Sequence, residues 1–253
     1  MSKVTKAIIP AAGKGERMQP LTNYLSKAMI PLGEKPVLEY IVEELKSAGI
    51  TDVAVIINSD DEMIIEYFKN NNSIHFIYDD TFSGPGGAIL NAEPFIKQDS
   101  FVVAFSDTPL KGILKSRVVK NLISLKSQPN VFGALAIYPI DQEEVSKRGV
   151  VTWCEDQKIR NDKHVVLSDI IEKPTEYIEH PWASACRYVF DADIFNVLKK
   201  IPKDDNGELQ LTPAIRQWLQ DGKQVLGTPL PKGVNRYDTG NFKDYFEAQR
   251  AFM

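Results

Sequence analysis

Residues 7–36 read AIIPAAGKGERMQPLTNYLSKAMIPLGEKP. The opening Ala7-Ile8-Ile9 is a short apolar run ahead of turn residues, the pattern of a buried strand. It breaks into Ala11-Ala12-Gly13-Lys14-Gly15-Glu16-Arg17, where two glycines permit positive φ and let backbone N–H groups approach an anion without a Cβ in the way. Lys14, Arg17 and Lys27 bring three cations to a chain whose net charge is −4. A glycine-rich turn after a strand, followed by Arg and Lys, is what a phosphate-binding loop needs.

Two common phosphate loops are excluded by spelling. A Walker-type loop needs G-x-x-x-x-G-K-[ST], which does not occur. A dinucleotide loop needs G-x-G-x-x-G, and Met18 stands where the third glycine belongs. Taken by itself, Gly-x-Gly is equally well read as a strand-to-helix turn that uses glycine for geometry alone. The wider pattern decides more. Gly13-x-Gly15-x-Arg17-x-x-Pro20-x-Thr22, then Ser26-Lys27, Pro31 and Lys35-Pro36, resembles the signature GxGTRxxPxTxxxPK…P…KP of the sugar-1-phosphate nucleotidylyltransferases. Within that family the spelling IIPAAG…KPVLEYIVEEL…AGI looks most like the bacterial UTP–glucose-1-phosphate uridylyltransferases.

The whole chain sets bounds on this reading. A length of 253 residues suits one large α/β domain or at most two small ones. Hydrophobic content of 43% and charged content of 25% are ordinary for a globular protein. The acidic balance, with no basic block, excludes nucleic-acid polymer as the expected partner. An acidic protein that binds anionic substrates must gather its cations locally or recruit a metal. Cys154 and Cys186 have no Cys-x-x-Cys spacing and imply no disulfide framework, which suits a reducing cytosol. The apolar stretch in MSKVTKAIIPAAG is too short for a signal peptide, and no run reaches membrane-spanning length, so a cytoplasmic, membrane-free protein is expected.

Along the chain, Val37, Leu38, Ile41, Val42 and Leu45 recur at helical spacing, with Gly49 as C-cap. Val53 to Ile57 reads as a strand buried on both faces. A helix near 61–68 and a strand over 74–78 follow, and this alternation predicts a parallel sheet with right-handed crossovers. Ser83-Gly84-Pro85-Gly86-Gly87-Ala88 reads as a loop ahead of a helical run over 89–95. A strand over 101–105, a helix near 115–125 and a strand over 131–138 complete the first half. Shorter strands follow, and an amphipathic helix over 242–252 ends the chain. The expected architecture is therefore α/β: a Rossmann-like, mostly parallel mixed sheet flanked by helices. A smaller β-rich sugar-binding part completes the nucleotide-diphospho-sugar transferase fold that the resemblance implies. One domain over 1–253 is expected, with a nucleotide half to about 140 and a sugar-phosphate half from about 141.

The resemblance also assigns roles. Ala11, Ala12, Gly13, Lys14 and Gly15 bind the nucleotide in this reading, with Arg17 and Lys14 on the triphosphate and Lys27 near the α-phosphate. Gly84, Gly86 and Gly87 match the family's GTAGA or GLGHA segment, a platform without side chains beneath the base. Asp79 stands near the family's base-reading glutamine and could accept from N3–H of uracil or thymine. Asp107 lies at a strand's C-terminal end, where open α/β sheets bind ligands. It matches the first aspartate of LGDD, while Thr108 replaces the second. With Asp238, in a segment resembling RYDCG, it is the implied magnesium pair, since hard cations take carboxylate and phosphate oxygens. Val145-Ser146-Lys147-x-Gly149-Val150-Val151 resembles VSKYGVV, and Ile170-Ile171-Glu172-Lys173-Pro174 resembles IVEKP. The resemblance puts Gly149 and Glu172 on sugar hydroxyls and Lys173 on the sugar phosphate. Cys186-Arg187-Tyr188 matches GRY, with Cys186 in place of glycine, so Arg187 and Tyr188 join the sugar-phosphate set. Residues 207–212, GELQLT, match GEIQLT without a role.

The implied reaction is nucleotidyl transfer: a sugar 1-phosphate oxygen attacks the α-phosphorus of a nucleoside triphosphate, UTP first, and pyrophosphate leaves. It needs positioning and charge neutralisation rather than a general base, and His75, His164 and His180 lie in none of these segments. A dTTP-using thymidylyltransferase is one alternative. A non-catalytic binding homologue is another, raised by Glu16, a carboxylate where the phosphate loop usually has threonine. A dimer or tetramer is expected by analogy with the family.

Overall fold

The computed structural model describes residues 3–154 and 164–253. Strand β1 (Lys6–Pro10) buries Ala7, Ile8 and Ile9 completely. A short hairpin, β2 (Pro31–Leu32) and β3 (Lys35–Pro36), follows the glycine loop and leads into α1 (Val37–Ala48). That helix buries the apolar residues read from its spacing, and Gly49, at φ 100°, closes it. Then come β4 (Asp52–Ile57), α2 (Glu62–Phe68) and β5 (Ile74–Tyr78). They are followed by α3 (Gly84–Asn91), α4 (Glu93–Ile96), β6 (Phe101–Ala104) and β7 (Leu110–Lys111). Helix α5 (Lys115–Lys126) and β8 (Val131–Pro139) end the first half.

Strand β1 lies between β4 and β6, and β4 pairs with β5, all in parallel. The chain therefore runs outward on one side of β1 and returns to its other side. The reversal opens a crevice at the carboxyl ends of β1 and β6, where such sheets bind ligands. The loops leaving those strands carry Gly13 to Arg17 and Asp107.

The second half extends the same sheet. It comprises β9 (Gly149–Trp153), β10 (Val165–Glu172), β11 (Trp182–Phe190), α6 (Ile194–Leu198) and α7 (Leu211–Gln220). Strands β12 (Gln224–Pro229) and β13 (Asn235–Arg236) and helix α8 (Phe242–Phe252) complete it. The sheet order is β5-β4-β1-β6-β11-β8-β12-β10-β9, and β9 pairs again with the start of β11. Strands β11, β8, β12, β10 and β9 thus close a ring beside the open parallel part, a mixed α/β architecture. Alternation along the strands divides the core. Ile9, Val53, Val55 and Val102 pack with α1, α2 and α5, while Ile8, Ala54, Ile56 and Val103 pack with α3, α6 and α7.

Two local expectations are corrected. Residues 84–88 form the start of helix α3 rather than a loop, and the helical run over 89–95 is broken into α3 and α4 at Ala92. Pro94, in the first turn of α4, has no N–H with which to continue α3.

Candidate active site

The phosphate loop is held from three sides. Ala11 N donates to Ile56 O at 2.8 Å, Asn58 Nδ2 to Ala12 O at 3.1 Å, and Ser106 Oγ to Pro10 O at 2.7 Å. Gly15 has φ 66°, and a Cβ there would fall 2.8 Å from Thr22 Cγ2. Thr22 Oγ1 in turn donates to Gly15 O at 2.9 Å, so Thr22 locks the loop instead of facing a ligand. A Cβ on Gly13 would meet nothing within 4 Å, which leaves room for a ligand against the backbone. A cleft of about 680 Å³ opens here. Ala11, Ala12, Gly13, Lys14, Gly15, Arg17, Lys27, Asp79, Gly84 and Asp107 all line it.

At its floor Lys27 Nζ donates to Asp107 Oδ2 at 2.5 Å. The distant Asp238 is delivered by its neighbour: Thr239 N and Oγ1 donate to Asp107 O at 2.9 and 3.1 Å. Asp238 Oδ2 accepts from Arg148 Nη1 at 2.5 Å and Arg236 Nη2 at 2.9 Å, and Oδ1 accepts from Gly240 N at 2.7 Å. Burial pushes this carboxyl up, but Arg236 and Arg148 outweigh it and hold it well below the usual carboxylate range. A Cβ on Gly240 would lie 2.8 Å from Asp238 Oδ1 and 3.3 Å from both Arg17 Nη2 and Lys27 Nζ. Glycine therefore leaves a small hollow faced by one carboxylate oxygen and two cations.

The sugar-side candidates gather where β9 begins and β10 ends. Gly149 pairs with Glu172, and Thr212 Oγ1 donates to Glu172 Oε2 at 2.7 Å. Lys173 N donates to Arg148 O at 2.9 Å, its φ is 46°, and its Nζ lies 3.6 Å from Glu172 Oε1.

Four expected contacts fail on geometry. Gly86 and Gly87 are buried away from the cleft. A Cβ on Gly86 would lie 2.7 Å from Leu209 O, and one on Gly87 2.1 Å from Ser83 Oγ. Gly86 serves the approach of Leu209 and Gln210 and Gly87 that of the Ser83 side chain, and only Gly84 of the three lines the cleft. Arg187 is fully buried, with all five N–H donors used by Glu44, Thr108 and Cys186 O. It has no donor left for a sugar phosphate. Tyr188, its neighbour on the opposite face of β11, is a core residue that accepts from Ser184 Oγ at 2.8 Å and stacks on Phe190.

A profile of the Nucleotidyl transferase family matches residues 6–253. The chain belongs to that family. Among its nucleotidyl transferase relatives is the UTP–glucose-1-phosphate uridylyltransferase YngB of Bacillus subtilis, 31% identical over 97% of this chain and 88% of its own. The UTP–glucose-1-phosphate uridylyltransferase of Streptococcus pneumoniae is 31% identical over 95% of this chain and 87% of its own. A crystal structure of UDP-glucose pyrophosphorylase complexed with UDP-glucose superposes with a TM-score of 0.87 at 27% identity, covering 98% of both chains.

Family departures acquire physical reasons in this nucleotidyl transferase. Thr108, in place of a second aspartate, is buried and accepts from Arg187 Nη1 at 3.2 Å. Cys186, in place of glycine, keeps the left-handed backbone at φ 58°, at the register break of β11 between Ser184 and Tyr188. Burial pushes its thiol up and Arg236 opposes this. Several cleft residues were not found by reading sequence. Asn206, Gly207 and Glu208 line it because Leu209 N and O bond to Ser83 O and Gly86 N. Phe82 also lines it, with Lys14 Nζ 4.4 Å from its ring centre. Gly240, Arg148 and Arg236 join the centre only through the fold. The GELQLT spelling was a signal for the first group, and the segment 236–240 resembling RYDCG for Arg236 and Gly240; nothing local marked Phe82 or Arg148.

Proposed function

We propose that this nucleotidyl transferase condenses UTP with glucose 1-phosphate, giving UDP-glucose and pyrophosphate. The observation that carries the reading is the near-complete superposition on a UDP-glucose pyrophosphorylase holding UDP-glucose. In the proposed mechanism an oxygen of the sugar phosphate forms a bond to the α-phosphorus, and the bond from that phosphorus to the bridging oxygen breaks. The leaving pyrophosphate carries away the electron pair. A phosphate monoester is anionic at neutral pH, so the residues need only bind, orient and neutralise charge.

Lys14 and Arg17 hold the triphosphate against the open backbone at Gly13. Lys27, fixed by Asp107, sits at the cleft floor to stabilise charge building on the α-phosphate. Lys173 holds the attacking phosphate, with Gly149 and Glu172 on the sugar, and Thr212 orients Glu172. Asp79 contributes to base recognition mainly by shaping its loop. Thr81 N, Thr81 Oγ1 and Ser83 Oγ already occupy three of its acceptor positions.

Magnesium is the proposed cofactor, held by Asp107 and Asp238. The donor set fits: Asp238 Oδ1 has one bond from Gly240 N and faces the hollow, and Asp107 Oδ2 pairs with Lys27, whose Nζ borders the same hollow. Among the described residues no three His, Cys, Asp or Glu converge as a metal site, so substrate oxygens would complete the coordination. When bound, the ion supplies charge neutralisation between the two substrates.

Among the described residues no helix is long and apolar enough to cross a membrane. A cytoplasmic location, and a dimer or tetramer, are proposed by analogy with the family. Residues 1–253 are proposed to act as one catalytic unit, because the sheet runs through both halves.

The test is pyrophosphate release from a matrix of UTP, dTTP, ATP and GTP against glucose-, galactose-, mannose- and N-acetylglucosamine-1-phosphate. UTP with glucose 1-phosphate should turn over fastest. Preference for a purine triphosphate, or binding without release across the matrix, overturns the reading.

A further inference from the structure

Arg148 stands where the family spelling VSKYGVV has tyrosine. Its guanidinium lies between three carboxylates: Nη1 donates to Asp238 Oδ2 at 2.5 Å, and Nη2 lies 3.0 Å from Glu144 Oε1 and 3.9 Å from Asp244 Oδ2. Its carbonyl accepts from Lys173 N at 2.9 Å. One residue is therefore tied by its main chain to the candidate sugar-phosphate lysine and by its side chain to the candidate metal carboxylate.

Both guanidiniums on Asp238 take the same oxygen, Oδ2. That turns Oδ1 toward Gly240 and Lys27 and fixes the carboxylate plane. It also sets positive charge directly behind the group that would attract a cation. Arg236 could secure the fold of this segment by itself, since its side chain is only 5% exposed. Arg148, at 17% and at the junction with the sugar half, is placed to do more.

We propose that Arg148 is a positioning residue that acts on the reaction through Asp238, aiming Oδ1 at the reaction centre while weakening that carboxylate's hold on a divalent cation. The proposal rests on Asp238 being a metal ligand. It carries a signature of opposite signs. Removing the guanidinium unmasks Asp238 and strengthens cation binding, yet loosens the carboxylate and slows turnover. A purely structural role would weaken both, and a direct substrate contact would raise the KM for sugar phosphate.

The experiment is a titration of Mn²⁺ into the parent, Arg148→Gln and Arg148→Lys, with free ion read by electron paramagnetic resonance, beside steady-state kinetics. Arg148→Gln should bind Mn²⁺ roughly three- to tenfold more tightly. Its kcat should fall roughly tenfold or more, with KM for both substrates within about twofold. Arg148→Lys keeps the charge and loses the fork, so its Mn²⁺ affinity should match the parent while kcat recovers only in part. Unchanged or weaker Mn²⁺ binding in Arg148→Gln, a loss carried by the KM for glucose 1-phosphate, or no Mn²⁺ binding by the parent overturns the proposal. If Arg148→Gln does not fold, altered Mn²⁺ affinity in Arg148→Lys overturns it and parental affinity with reduced kcat supports it. Failure of the parent to form UDP-glucose sinks the substrate reading alone, because the Mn²⁺ titration is read without turnover.

Discussion

Lys27 Nζ and Asp107 Oδ2 lie 2.5 Å apart at the cleft floor, joining the loops after β1 and β6 across 80 positions of sequence. The pair is only partly buried, so its contribution to folding is about 1 kcal/mol. Lys27→Met should leave the urea midpoint nearly unchanged and lower kcat by about a hundredfold or more, as expected when a charge acting on a transferring phosphoryl group is removed. Turnover within a few-fold of the parent would mean that the reaction centre lies elsewhere.

Asp107→Asn and Asp238→Asn should each slow catalysis, and the double variant should lose far less than the sum of their free energies, because both act on one centre. Their stabilities should separate them. Asp238→Asn takes from buried Arg236 its carboxylate partner and from Arg148 one of three, and is expected to lose about 3–5 kcal/mol, whereas Asp107→Asn removes one partly exposed pair. Urea unfolding and pyrophosphate release on the three variants measure both; fully additive kinetic losses would count against a shared centre.

The pH dependence of stability follows from Asp238. Its folded pKa is depressed, so its stabilisation is complete above the unfolded carboxyl value of about 3.9 and is lost as pH falls toward the folded one. Urea unfolding between pH 3 and 7 should show stability declining once the pH drops below about 5. Asp238→Asn should flatten that slope. An identical acid slope in the two proteins would contradict the assignment.

Arg187→Met should destabilise the fold by about 3–5 kcal/mol, since it leaves Glu44 buried and unpaired. Per folded molecule, KM for the sugar phosphate should stay at the parental value. A selective rise in that KM would restore Arg187 to the sugar site.

Gly86→Ala places a methyl 2.7 Å from Leu209 O and should push residues 206–208 away from the cleft. The expected result is a KM for the triphosphate raised roughly tenfold, with a stability loss of about 1–3 kcal/mol. Unchanged nucleotide KM would show that this loop does not shape the base end of the cleft.

Much of the molecule was legible in the chain because the signals are local. The apolar run at Ala7–Ile9, the helical spacing from Val37 to Leu45 and the buried run ending at Ile57 each follow from periodicity, and the structure has them where they were read. Gly13, Gly15, Arg17 and Lys27 fall on the one connection between β1 and β2 and line the cleft together, since near neighbours in sequence stay near in space. Residues 84–88 read as a loop because glycine and proline argue for one, while the packing of Leu209 against Gly86 favours a helix there.

Arg187 shows the limit most plainly. It sits in a segment that matches the family spelling, yet β11 alternates its side chains between two faces, and only the pairing of β11 with β6 and β8 decides which face meets the cleft. Tertiary structure alone turned Arg187 toward Glu44. It alone set Arg148 on Asp238 and Gly240 beside Lys27, because those approaches depend on strand order and on bonds such as Thr239 N to Asp107 O. A short stretch of chain encodes its own periodicity and turn chemistry; which distant side chains share a charge is settled only when the sheet is assembled.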